Sequence, residues 1–100
     1  MSNLPGKPAS TVNGETRLTP AQKRQLRGQA QLLNPLVTVG KNGLTQRVLI
    51  EFEAALLRHH LVKVRFNAER NTIKTYCRTM AAHTGATHLG SVGKTAVFYR

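Results

Sequence analysis

From Leu18 onward, apolar residues recur at intervals that change from segment to segment, and each change marks a new element. Leu26, Ala30 and Leu33 stand at i, i+4 and i+7, which puts them on one face of a helix. Ahead of them, Leu18-Thr19-Pro20 reads as a helix start, with Thr19 as N-cap, Pro20 at the first helical position and Leu18 as a staple. Asn34-Pro35 ends that helix, because a residue before proline avoids the α region. Leu36–Val39 is apolar except for Thr38 and predicts a short strand covered on both faces. Leu44, Val48, Leu49, Phe52, Ala55 and Leu56 then form the broad stripe of a second helix, capped by Thr45 and running to about His59. Ile50 and Leu57 fall outside this stripe.

Period two replaces the helical spacing at Leu61–Phe66. Val62, Val64 and Phe66 share one face and Lys63 and Arg65 the other, as in a strand with one covered face. Asn67 to Asn71 reads as a loop. A third helix is predicted from about Thr72 to Thr84, with Ile73, Cys77, Met80 and Ala81 inward, Lys74 and Arg78 outward, and Gly85 as its C-terminal cap. His88–Val92 and Thr95–Tyr99 are two strands joined as a hairpin through Gly93-Lys94. The order α-β-α-β-α-β-β predicts a single α/β domain over residues 17–100, with parallel strands joined by crossovers and closed by an antiparallel pair. Residues 1–16 hold Pro5, Gly6, Pro8, Ser10 and Gly14 with little apolar periodicity, and are expected to form a flexible tail.

Charge narrows the function. Fifteen Lys and Arg stand against four Asp and Glu, for a net charge of +11. Such an imbalance costs self-repulsion, and a polyanionic partner relieves it. Between Thr16 and Ile50 there is no carboxylate, while Arg17, Lys23, Arg24, Arg27, Lys41 and Arg47 all fall there. A membrane is the poorer partner. No apolar run approaches the roughly 20 residues of a span, and the start of the chain lacks the apolar core of a signal peptide. A single cysteine, Cys77, forms no internal disulfide, so a reducing compartment, the cytoplasm, is expected.

The acid-free tract centres on Gly40-Lys41-Asn42-Gly43, between the first strand and the Thr45 cap of the second helix. Two glycines permit a sharp turn and close backbone approach. The following helix N-terminus attracts an anion, and Lys41 adds a full charge at the tip. Any strand-to-helix junction favours Gly and Asn for turning alone; within this basic tract the loop is also a candidate clamp for a sugar-phosphate backbone. Gly40, Lys41, Asn42 and Gly43 are therefore candidate contacts. Lys23, Arg24 and Arg27, gathered on one face of the first helix, would extend them if that helix lies beside the loop. Arg47 follows in the first turn of the second helix, where it can pair with Glu51.

Other chemistry is poorly supplied. Gly93-Lys94-Thr95 resembles the end of a phosphate-binding loop, but His88 stands where its first glycine belongs and no helix follows. His59, His60, His83 and His88 with Cys77 match no usual metal spacing. Glu51 and Glu53 face different ways on one helix and Glu69 is in a loop, so no two-carboxylate mechanism is visible. Cys77 lies on an inward stripe and reads as a small hydrophobe. Neither an enzyme, a metal, a cofactor nor a small-molecule substrate is expected. Phe52 and Phe66 read as core, which leaves Tyr76 and Tyr99 as the aromatic candidates; contacts to backbone and shape should therefore outweigh base stacking.

Several of these residues together resemble a known family. Leu18-Thr19, Leu26-Arg27, the string Pro35-Leu36-Val37-Thr38-Val39-Gly40-Lys41-Asn42-Gly43-Leu44-Thr45 and the ending Val92-Gly93-Lys94-Thr95-Ala96-Val97-Phe98-Tyr99-Arg100 resemble the CRM domain (chloroplast RNA splicing and ribosome maturation). The match is to its bacterial stand-alone YhbY-like form and covers residues 18–100. The resemblance implies a four-stranded mixed sheet packed against helices, similar to the C-terminal domain of a translation initiation factor. It also implies a Gly-x-x-Gly loop that clamps RNA as a KH-domain loop does, and a role with precursors of the large ribosomal subunit. Relatives often carry a further basic tail where this chain has Arg100, and Gly90 is an uneasy strand residue. The expectation is a monomer that binds structured, ribosomal RNA. A small DNA-binding protein is the alternative, disfavoured by the strand that separates the first two helices.

Overall fold

The computed structural model describes residues 18–100, together with the backbone of Thr11–Val12 (β1) and Glu15–Thr16 (β2), which pair antiparallel. The rest of the expected tail, and Arg17, lie outside the described residues.

Helix α1 (Pro20–Ala30) starts where the sequence places it. Thr19 Oγ1 accepts from the Gln22 N–H at 3.1 Å, and Gln22 Oε1 accepts from the Thr19 N–H at 2.8 Å. This reciprocal box satisfies two of the donors a helix start leaves open. The helix stops at Ala30, four residues short of Asn34; Gln31 closes on the Gly28 and Gln29 carbonyls and the chain then turns. Helix α2 (Gln46–His59) is capped by Thr45, whose Oγ1 accepts from the Val48 N–H at 3.2 Å. Helix α3 (Arg70–Thr84) begins two residues before the predicted start. Its cap is Glu69, whose side chain makes no capping hydrogen bond, so the sequence carries no short-side-chain marker there. Gly85 ends it with a φ of 76°.

Four strands, β3 (Val37–Val39), β4 (Leu61–Phe66), β5 (Thr87–Val92) and β6 (Thr95–Tyr99), form one sheet in the order β3-β4-β6-β5. The β3–β4 pair is parallel, joined by the α2 crossover, and the other pairs are antiparallel. The predicted four-stranded mixed α/β sheet is the one observed. Pleat alternation sorts its side chains into two cores. Val62, Val64, Phe66, Ala96 and Phe98 pack with Phe52 and Leu56 of α2 and with Ile73, Cys77 and Met80 of α3. On the opposite face Leu61, Leu89 and Tyr99 pack with Leu26 and Ala30 of α1.

Two expectations are corrected by this arrangement. β3 is an edge strand with one covered face: Val37 and Val39 are buried while Thr38 is exposed, and Leu36 stays half open. β4 is covered on both faces at its start, because α1 lies over Leu61. Tyr99, a candidate contact, is buried in the α1 core. Arg100 ties that end of the sheet to the helices, donating to the Thr84 carbonyl at 2.8 Å and pairing with Glu53 at 2.7 Å.

Candidate nucleic-acid interface

The Gly40–Gly43 loop leaves the carboxyl end of β3 and turns at once into α2. The Gly43 N–H donates to the Gly40 carbonyl at 3.0 Å, closing a four-residue turn. The Thr45 N–H then donates to the Gly43 carbonyl at 3.0 Å, bringing the capping residue into place. Beneath the loop, the Asn67 N–H donates to the Val39 carbonyl at 2.8 Å, which carries the β3–β4 pairing up to the turn.

The two glycines do different things. Gly40 is exposed, has no positive φ, and a Cβ built on it would meet nothing within 4 Å. Gly43 has a φ of +75°, is buried, and a Cβ there would stand 2.7 Å from Tyr76 Oη. The Tyr76 ring in turn stacks on Phe66, centroids 6.2 Å apart and planes at 22°. Gly43 is thus the fixed foot of the loop, braced by α3 and β4, whereas Gly40, Lys41 and Asn42 face solvent. Space for a close approach is open at Gly40, whereas at Gly43 it is filled by Tyr76.

Electrostatics at this end favour an anion. None of the three helices has an acidic residue in its first turn, so the positive end of α2 is uncompensated. Arg47 lies in that turn and is exposed, 3.3 Å from Glu51 Oε2. An exposed pair of this kind contributes only about 0–1 kcal/mol, so the guanidinium is readily released.

The cations of α1 do not sit beside the loop. Arg27 Nη1 donates to the Leu89 carbonyl of β5 at 3.3 Å, and β5 and β3 are opposite edges of the sheet. At roughly 4.8 Å per strand, Arg27 and the loop are separated by about 14 Å across the sheet. Arg24 is exposed and Lys23 half-buried, one turn closer to the helix start. Arg27 also explains Gly90: a Cβ at Gly90 would meet the Arg27 Cδ at 3.3 Å, so the bare backbone at the β-bulge lets that side chain lie across the strand.

Lys63 and Arg65 lie between these two groups, and both were missed as candidates. They project from β4 on the face shared with α1. Thr38, Arg65 and Thr95 form one cross-strand row, and Lys63, Val97 and Gly90 form the next. Helix α1 covers the row below, Leu61 with Tyr99. Among residues 18–100 the side-chain carboxylates are Glu51, Glu53 and Glu69, on α2 and at the start of α3, and none of these is on α1 or on the strands beneath it. The signal for Lys63 and Arg65 was their alternation with Val62, Val64 and Phe66, which fixed their side of the sheet but not its openness.

Cys77 and His88, away from the loop, are shifted by desolvation. Burial pushes the Cys77 thiol up to about 11, which leaves it protonated and inert. Burial also holds His88 below its ordinary value; its ring lies against Phe98, with Nε2 3.0 Å from Ser91 Oγ. Among the described residues no three His, Cys, Asp or Glu side chains gather as a metal site would require, and no helix is long and apolar enough to cross a membrane.

A small α/β domain with Arg27, Lys63 and Arg65 on the α1 face and a basic strand-to-helix loop has the features of a nucleic-acid-binding module. The chain belongs to the CRS1/YhbY (CRM) domain family, whose model matches residues 18–100. An RNA-binding protein of Haemophilus influenzae is 41% identical over 86 residues, covering 85% of this chain and 87% of that protein. A relative in Pseudomonas aeruginosa, also named for RNA binding, is 38% identical over 84 residues, covering 83% of this chain and 81% of its own length. The solution structure of a hypothetical Staphylococcus aureus protein, presented as a candidate RNA-binding protein, superposes with a TM-score of 0.76 at 27% identity, over 84% of this chain and 88% of that one.

Proposed function

We infer that this protein is a non-catalytic RNA-binding module that grips structured RNA through the Gly40–Gly43 loop and the basic face beside it, and that its target is ribosomal RNA during assembly of the large subunit. The observation that carries the reading is the contrast within the loop. Gly43 is required by its own φ and by Tyr76, but among the described residues no atom comes within 4 Å of a Cβ built on Gly40. A glycine with open space in front of it suits a partner's backbone coming close. Lys41 and Asn42 stand at the tip as phosphate and ribose contacts, and Arg47 with the start of α2 supplies a second positive site.

The names of the relatives favour RNA over DNA, and the strand between α1 and α2 denies the chain a helix-turn-helix. Crosslinking in cells followed by sequencing of the bound RNA tests the target. Enrichment of large-subunit ribosomal RNA supports the reading; recovery dominated by messenger RNA or DNA removes the ribosomal role.

A further inference from the structure

Beside the covered half of the sheet, α1 and the Lys63–Val97–Gly90 row leave a groove of about 520 Å³. Its floor and inner wall are Val97, Gly90 and Ala30; its rim carries Arg27, Lys63, Gln31 and Thr95, whereas the Ser91 side chain, opposite Ala96 and 3.0 Å from His88 Nε2, belongs to the other face of the sheet. Val92, which closes the far side, is 80% exposed. Both rim cations are oriented by the backbone. Arg27 Nη1 donates to the Leu89 carbonyl and Lys63 Nζ to the Leu33 carbonyl, each at 3.3 Å. Single long bonds of this kind hold a side chain in place and leave most of its donors free. Among residues 18–100 no side-chain carboxylate stands on α1 or on the strands beneath it.

We propose that this groove is a second RNA subsite that takes one unpaired nucleotide, with its base on the Val97–Gly90 floor and its phosphate between Lys63 and Arg27. The proposal rests on the RNA-binding reading above and adds a requirement for an unpaired base. The groove combines what a nucleotide presents. An apolar floor accepts a base face, the Thr95 hydroxyl and the Gln31 amide reach base edges, and two cations take the phosphate. Its volume suits one base, since small-ligand sites span roughly 300–1,000 Å³, and a paired base would bring its whole duplex against α1. Arg65 and Thr38, in the row between groove and loop, give the backbone a continuous path from this subsite to Lys41.

Two RNA hairpins test this, identical except that one carries a single-uridine bulge. Fluorescence anisotropy of the wild type should give about tenfold tighter binding to the bulged hairpin. Lys63→Gln, and Gly90→Ala, which presses a methyl against the Arg27 stem, should reduce that preference to about threefold or less, with paired-hairpin affinity within about twofold of wild type. In the wild type, backbone amide resonances of Gly90, Ser91 and Val97 should shift with the bulged RNA and not with the paired one. Equal wild-type affinity for both hairpins, or an equal loss on both in Lys63→Gln, overturns the subsite. Loss of binding in Lys41→Glu under the same conditions would then leave the loop reading standing, whereas failure of the wild type to bind either hairpin overturns both.

Discussion

Gly43 and Tyr76 are held so close that a single methyl on the glycine would reach within 2.7 Å of the tyrosine hydroxyl. The contact makes the second glycine of the loop a structural residue. Gly43→Ala has to adopt a positive φ and displace Tyr76, which should cost about 2 kcal/mol and lower Tm by roughly 10 °C. Tyr76→Phe leaves Cζ at 3.4 Å as the nearest ring atom, so the double variant should recover part of the loss. Gly40→Ala, with open space at its Cβ, should melt like wild type. Thermal melts of the four proteins check this; a Gly43→Ala protein as stable as wild type would break the assignment.

Salt separates phosphate contacts from a protein partner. With Lys41, Arg47 and Arg65 on phosphates, log affinity should fall linearly with log salt, with a slope of roughly −2 to −3 on a paired RNA. Neutralising Lys41 should reduce the slope by about one. Titrations at several salt concentrations measure this, and a flat line would contradict an electrostatic grip.

His60, at the end of α2, has φ 66° and ψ −51°, a conformation that costs a side-chain-bearing residue on the order of 1–3 kcal/mol. The residue is exposed, and its N–H to the Leu56 carbonyl, like its carbonyl to the Arg100 N–H, is a backbone bond. His60→Gly should therefore gain about 1 kcal/mol after its own chain entropy is counted. A Tm several degrees higher checks this; an unchanged or lower Tm would show that the local backbone is not strained.

Partial desolvation holds the His88 imidazole, whose ring centroid lies 5.2 Å from that of Phe98, below its ordinary value of 6.5. As pH falls, the unfolded chain takes up that proton before the folded protein does. The stability linked to His88 is thus complete above 6.5 and is lost as pH drops through the lower folded value. Between about pH 7.5 and about pH 5, Tm should fall more in wild type than in His88→Gln. Parallel falls would remove His88 from the acid response.

The sequence made the elements and their order legible because hydrophobic period is a local property. Thr19-Pro20 and Thr45 marked two helix starts through capping chemistry that local sequence carries in full. What it concealed depends on partners distant in the chain. Thr38 looked like a polar break in a buried strand because nothing local reveals that β3 is an edge. Arg27 and Lys41 looked like neighbours within one basic tract, yet the order β3-β4-β6-β5 puts them at opposite edges. Lys63 and Arg65, which fill the gap, lie far along the chain from both α1 and the loop, and reach the loop's strand only through the parallel pairing of β4 with β3. Gly90 read as a flaw until the Arg27 stem was seen to cross it.

The most direct measurement is the affinity of Lys41→Glu for a large-subunit ribosomal RNA hairpin, taken with a thermal melt of the same protein. Lys41 is exposed at the tip of the loop, so its reversal should weaken binding by about tenfold or more while Tm stays within a degree or two of wild type. Equal affinity of the two proteins for that RNA would contradict the account.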